Sequence, residues 1–226
     1  MRETIQNSNE TIRCSWCTGD TVYERYHDTE WGVPSRDDQT LFQKICLEGF
    51  QAGLSWLTIL KKRDNFRECF DNFDFEIVSK YDQTDVSNLL KNVGIIRHRG
   101  KIVSAINNAN RAIDLRKEAG SLAAFFWHFE PKQSRKKEAE RAKLPVAAFT
   151  CESVALSNEL KKRGWSFIGP TICYSFMQSL GIVNDHAIGC FRREEIERLR
   201  QKFVRPVLSG RTVGLIDQIR QQNAGD

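Results

Sequence analysis

Glu48 is a carboxylate set in the middle of an apolar run, residues 41–60, that reads LFQKICLEGFQAGLSWLTIL. Burying such a group costs several kcal/mol unless something donates hydrogen bonds to it, and in a cleft that donor is often a ligand. Taken alone, a Glu near a helix end is more commonly a solvated group. Metal-ligating residues form a second constellation. His186 and Cys190 are four apart, one helical turn, so both can face one ion, and Cys14 and His27 offer the same two ligand types far upstream. Together they make a candidate four-coordinate zinc site. Cys17 is a rival ligand, because Cys14-x-x-Cys17 also has familiar zinc spacing. A third constellation is the stretch from Gly164 to Gly169, preceded by Lys161, Lys162 and Arg163. Its glycine spacing mimics a nucleotide-binding loop, but that loop needs Lys after its second Gly and Pro170 stands there, which excludes a nucleotide-triphosphate site. Backbone N–H groups at a helix start, with cations beside them, can instead hold one DNA phosphate.

The elements that position these residues are helical. Leu41, Phe42, Ile45 and Cys46 recur at helical spacing, Ser35-x-x-Asp38 can cap the start, and Gly49 and Gly53 break the regularity before Trp56. That pattern puts Glu48 at a helix end beside aromatics. A charged helix continues over 61–73, another spans 82–93 before Gly94, and from Arg99 a longer one carries Ile102, Ile106, Ala109 and Ile113 on one face. Residues 122–129 are short and aromatic, and 130–145 form a charged, exposed connection. Helices over 153–163 and 170–180 flank the glycine turn, the second with Pro170 in its first turn. Residues 14–34, with Trp16, Tyr23, Tyr26 and Trp31, lack a long helical period and suit an aromatic wall or a lid. Residues 1–12 read as a loose polar tail, and 191–226 as an extension whose Ile196, Leu199, Phe203 and Val204 suit an amphipathic helix packed on the body. No Val/Ile/Thr alternation argues for a sheet, so the expected fold class is all-α.

Composition narrows the class further. A chain of 226 residues with 40% hydrophobic content can bury a substantial core and is not disordered. Thirty-four Lys and Arg against 29 Asp and Glu give a net charge of +5, which suits a polyanionic partner. The local basic clusters at 61–63, 97–101, 135–137 and 161–163 say more than that total. No run approaches the roughly 20 apolar residues of a membrane span, and the start shows no signal-peptide core, so a cytoplasmic protein without membrane contact is expected. Seven scattered cysteines do not form a disulfide framework and favour free thiols or metal ligands.

Taken together, RCSW at 13–16, YHDTEWGVP at 26–34, ICLEG and QAGLSW within 45–56, GIIRHRGKI at 94–102, KKRGWSFIGPTICYSFMQSLG at 161–181 and VNDHAIGC at 183–190 resemble the 3-methyladenine DNA glycosylase I family of the helix-hairpin-helix glycosylase superfamily. The resemblance spans 13–190. Residues 1–12, residues 191–226 and Phe50, where a polar Gln is usual, depart from it. It implies a helix-hairpin-helix fold, with the hairpin at about 161–181, and a structural zinc ion bound by Cys14, His27, His186 and Cys190 as a clasp between the two ends of the domain. Cys17 is then a bystander. It also implies that Glu48 recognises the excised base and is the candidate catalytic carboxylate. Trp56 stacks on the base, and Trp16, Tyr23 and Tyr26 complete the pocket. Gln51, Gly53 and Leu54 would approach the gap left by a flipped nucleotide, while Lys161, Lys162, Arg163, Gly164 and Gly169 bind the backbone. The superfamily's catalytic Asp is replaced by Asn184, with Asp185 next to it. The activity implied is hydrolysis of the N-glycosidic bond of 3-methyladenine in alkylated double-stranded DNA by a monomer, releasing the free base. The competing reading is a protein that flips and holds a damaged base without cutting.

Overall fold

The computed structural model describes residues 4–6, 11–132 and 147–209. In chain order its helices are α1 (Thr21–Thr29), α2 (Asp38–Gln51), α3 (Trp56–Cys69), α4 (Phe75–Val78), α5 (Gln83–Lys91), α6 (Arg99–Ala119), α7 (Leu122–Trp127), α8 (Cys151–Lys162), α9 (Pro170–Ser179) and α10 (Arg192–Lys202). Helix α2 lies at the centre, packed on α3, α6, α7 and α9, and residues 44–50 of it are all buried. Its cap differs from the expected one. Asp37, which lies between the expected Ser35 and Asp38, is the cap: its carboxylate accepts from the Thr40 N–H at 2.7 Å. Asp38 instead accepts from the Ala123 N–H at 3.0 Å and so ties the start of α2 to the first turn of α7. Phe50, the residue out of pattern, is fully buried. Its ring lies 4.6 Å from that of Phe66 and 5.7 Å from that of Phe70, so an aromatic core occupies a place where a polar side chain would need a hydrogen-bond partner.

Two further expectations are corrected. Residues 4–6 are not a loose tail: β1 (Thr4–Gln6) pairs antiparallel with β2 (Ile12–Cys14), Thr4 opposite Cys14. Strands of three residues are too short to show an alternating pattern, and this pair is the one sheet among the described residues. Within residues 14–34 the chain forms α1, started by Asp20, whose carboxylate accepts from the Val22 N–H at 2.9 Å. Its aromatic residues hid the period.

The N-terminal segment is fastened to the far end of the chain. The Phe191 N–H donates to the Ile12 carbonyl at 3.0 Å, and the Gly32 N–H to the Ser179 carbonyl at 3.0 Å. Gly181, with φ +67°, meets Gly32 so closely that a Cβ would lie 2.2 Å from the Gly32 oxygen. Only glycine permits that approach. Helix α10 packs through Ile196, which is buried, and through Arg200, which pairs with Glu130 at 3.1 Å. Of the expected stripe Ile196 and Phe203 pack on the body, while Leu199 on α10 and Val204 beyond its end are exposed; after Lys202 the chain runs extended to dock Leu208 and Ser209, whose N–H donates to the Ala119 carbonyl at 3.2 Å. The cluster at 135–137, most of the 130–145 connection and the extension after residue 209 lie outside the described residues.

Candidate functional site

Glu48 sits in the last turn of α2, and the aromatic residues expected around it come from three neighbouring elements. Trp16 stands in the short turn at Ser15–Cys17, Tyr23 and Tyr26 on α1, and Trp56 at the start of α3. Ring centroids run Tyr23 to Trp16 at 5.0 Å, Trp16 to Tyr26 at 6.5 Å, and Tyr26 to Trp56 at 5.6 Å, a continuous wall. Trp16 remains about a third exposed, at 37%, whereas Tyr26 and Trp56 are buried. The Glu48 carboxylate is buried and receives no hydrogen bond from any described residue. Burial pushes its pKa up to about 7, with Lys44 opposing the rise. The Trp56 indole Nε1 is likewise buried without a partner. An unpaired acceptor and an unpaired donor beside one aromatic wall are costly to leave unmade, and a planar base with an exocyclic amino group and ring nitrogens can satisfy both.

Lys44, one turn before Glu48, was not singled out by the sequence reading. Its ammonium donates to the Tyr26 hydroxyl at 2.5 Å and lies over the Tyr26 and Trp56 rings, 4.4 and 4.2 Å from their centroids. The signal that could have found it is a lysine between Phe42 and Ile45 on the buried face of an apolar helix. Lys101 was missed too. Its ammonium donates to the carbonyls of Phe50 at 2.9 Å and Ala52 at 2.5 Å, closing the end of α2 where helix carbonyls have no partner of their own. The chain then turns at Gly53, φ +79°, and presents Leu54 to solvent before Ser55 caps α3. Leu54 is therefore not a core residue, and Gln51 is half-buried beside it.

Three of the four expected metal ligands converge. One ligand atom each from Cys14, His27 and Cys190 lies within 4.8 Å of the others, and Cys190 Sγ stands 3.4 Å from His27 Nε2. His186 stands beside them, its ring centroid 5.1 Å from that of His27, with Nε2 buried and unpartnered. Both imidazoles are anchored through Nδ1, His27 on Asp28 at 2.8 Å and His186 on Asn184 at 3.1 Å, which leaves His27 Nε2 facing Cys190 and His186 Nε2 without a partner. Asp28 is itself gripped by Arg13. Cys190 is pulled down to about 4, chiefly by the hydrogen bond from Cys14, whose own thiol is pushed up. Cys17 donates its thiol to the Cys14 carbonyl at 3.0 Å and falls outside the mutually close set. Asn184 is thus committed to His186, and Asp185 is held by Tyr174 and by Gln178.

The hairpin runs from α8 to α9. Its backbone is fixed from α6: the Asn108 side chain accepts from the Ser166 N–H and donates to its carbonyl, both at 3.0 Å, and Asn107 donates to the Gly164 carbonyl at 2.8 Å. Gly164 has φ +80°, and α9 opens at Gly169 and Pro170 with no side-chain cap, so its first N–H groups are open to an anion. The three basic residues are not equivalent. Arg163 pairs with Glu118 at 2.6 Å and Glu159 at 2.7 Å, and Lys162 with Glu159 at 3.0 Å. Both Arg163 and Lys162 are thus engaged with carboxylates of this chain. Among the described residues Lys161 forms no ion pair and is exposed.

A family model described as methyladenine glycosylase matches residues 16–193. The DNA-3-methyladenine glycosylase 1 of Escherichia coli K12 is 49% identical over 79% of this chain and 95% of its own. A crystal structure of a 3-methyladenine DNA glycosylase I superposes with a TM-score of 0.71 at 48% identity, covering 79% of this chain and 98% of the other. The Staphylococcus aureus enzyme, solved to explain its recognition of 3-methyladenine, has a TM-score of 0.72 at 30% identity, over 80% and 96%. With a family model matching most of its length and a curated relative 49% identical over 79% of it, this chain belongs to the methyladenine glycosylase family.

Proposed function

We infer that this chain is a base-excision repair enzyme that hydrolyses the N-glycosidic bond of 3-methyladenine in alkylated DNA, releasing the base and leaving an abasic site. The observation that carries this reading is the buried Glu48 carboxylate without a hydrogen-bond donor, beside the unpartnered Trp56 Nε1 and the rings of Tyr26 and Trp56. A carboxylate accepts hydrogen bonds and cannot give them, so it suits the amino group of adenine and repels the carbonyl oxygen that guanine carries at the same place. An alkylated adenine pairs poorly, which lowers the cost of flipping it out of the duplex. Methylation at N3 also makes the base cationic and its glycosidic bond labile, so little acceleration is asked of the protein. That fits a site in which Asn184 and Asp185 are both engaged elsewhere.

DNA enters this reading through the α9 N-terminus with Lys161 beside it, and through Leu54, whose exposed apolar side chain suits the gap left by a flipped nucleotide. Zinc enters as a structural ion. Cys14, His27, His186 and Cys190 would hold it, and the convergent sulfur and Nε2 donors with an orphaned His186 Nε2 fit a tetrahedral site. Four protein ligands leave no position for water, so the ion would fasten β2 and α1 to the loop after α9 and take no part in hydrolysis. All seven cysteines are free thiols, as a reducing cytoplasm would keep them. We take the working unit to be the monomer. Chromatography of bases released from methylated DNA tests the reading: free 3-methyladenine is the expected product, and tight binding to methylated DNA with no released base would establish the non-cutting alternative.

A further inference from the structure

Lys44 puts a positive charge where this pocket would hold a ligand. The side chain is buried, its one hydrogen bond among the described residues goes to the Tyr26 hydroxyl, and its ammonium rests on the Tyr26 and Trp56 rings of the aromatic wall. An ammonium 4.2–4.4 Å from two aromatic centroids has the geometry of a bound cation. Glu48 is one turn away on the same helix. Glu30 and Arg63, paired with each other at 2.5 Å, and Arg67 are the other charges acting on Lys44. Burial lowers its pKa, and the neighbouring Glu48 carboxylate opposes that fall and favours the ammonium form.

The reaction proposed above changes the charge of the ligand. Before cleavage the 3-methylated adenine attached to deoxyribose is a cation. When the bond between C1′ and N9 breaks, its electron pair goes to N9 and the base becomes neutral, while the positive charge moves to the sugar. Water adds to C1′ and gives up a proton. A fixed ammonium beside the base therefore opposes the bound lesion and is indifferent to the released base.

We propose that Lys44 sets the charge preference of this site: its ammonium, seated on the Tyr26 and Trp56 rings, disfavours a cationic base relative to a neutral one and so favours the departure of positive charge from the base on cleavage. This rests on the assignment of the base pocket to Glu48 and its aromatic wall. Like charges a few ångströms apart in a partly buried site shift affinity by about tenfold or more.

The test compares wild type with Lys44→Met and Lys44→Gln, two uncharged side chains of similar length, one apolar and one polar. Tryptophan fluorescence at neutral pH follows titration with neutral 3-methyladenine and with 3,9-dimethyladeninium, a permanently cationic mimic of the base joined to sugar. In both variants the cation is expected to gain about tenfold or more in affinity relative to the neutral base, and single-turnover release of base from methylated DNA to slow. An unchanged affinity ratio in both variants, with neutral-base binding intact, overturns the role of Lys44 and leaves the pocket standing. Failure of folded wild type to bind the neutral base removes the pocket assignment itself, and this proposal with it.

Discussion

Replacing Glu48 with Gln should strengthen the fold and weaken the site. The carboxylate is buried without a donor among the described residues, and its pKa rises from an ordinary 4.5 to about 7. A carboxyl that holds its proton more tightly when folded adds stability only while protonated, below its unfolded pKa, and that contribution is lost as the pH climbs through the folded value. Above neutrality the ionised group is a burden of about 3 kcal/mol, at ~1.4 kcal/mol per pH unit. Glutamine keeps the shape without the charge. Because it also deprives Lys44 of a compensating neighbour, the net gain at pH 8 should be about 2–3 kcal/mol, or some 5–10 °C in melting temperature for a chain of this size. Near pH 5 the two proteins should converge. Base binding moves the other way: the amide offers one uncharged acceptor oxygen where the carboxylate offers two charged ones, and losing a charge-assisted bond costs about 1–3 kcal/mol, roughly 5- to 150-fold in affinity. Urea unfolding at both pH values and titration with 3-methyladenine measure the two halves. A stability difference that is the same at pH 5 and pH 8, or a Gln variant that binds the base as wild type does, refutes the argument.

For the clasp, Cys190→Ser should lower metal content and melting temperature together, whereas Cys17→Ser, at a thiol that donates to the Cys14 carbonyl and lies outside the mutually close set, should leave metal content unchanged. Purified wild type without stoichiometric zinc, by metal analysis, would defeat the assignment. At the hairpin, Lys161→Glu should weaken binding to damaged and undamaged DNA alike and reduce the salt slope by about 1. Arg163→Glu should chiefly destabilise the fold, since it turns the pairs with Glu118 and Glu159 into repulsions; salt-dependent binding and thermal melts on the same samples separate the two effects.

The sequence by itself determined the helical class, the central place of the apolar run and the residue types of each constellation, because helical period, glycine breaks and ligand chemistry are local properties. Motif resemblance went further and singled out Cys14, His27, His186 and Cys190 over Cys17, and the structure brings three of these together with His186 beside them. What the sequence could not decide were matters of partnership. Lys161, Lys162 and Arg163 are one basic cluster along the chain, and only the packing of α6 and α8 shows that Arg163 is neutralised while Lys161 is exposed. Whether Leu54 packs inward or faces solvent is decided by the turn at Gly53, which leaves it exposed. Asn184 and Asp185 are neighbours in the chain, and only the fold shows that the first bonds to His186 and the second to Gln178. The short strand at Thr4–Gln6 exists through its pairing with Ile12–Cys14, which no window of three residues can announce. Lys44 is the clearest case: a lysine in an apolar helix is visible in the sequence, but whether it reaches water or lies on two aromatic rings depends on where α1 and α3 pack around α2, and that is fixed by the tertiary fold alone.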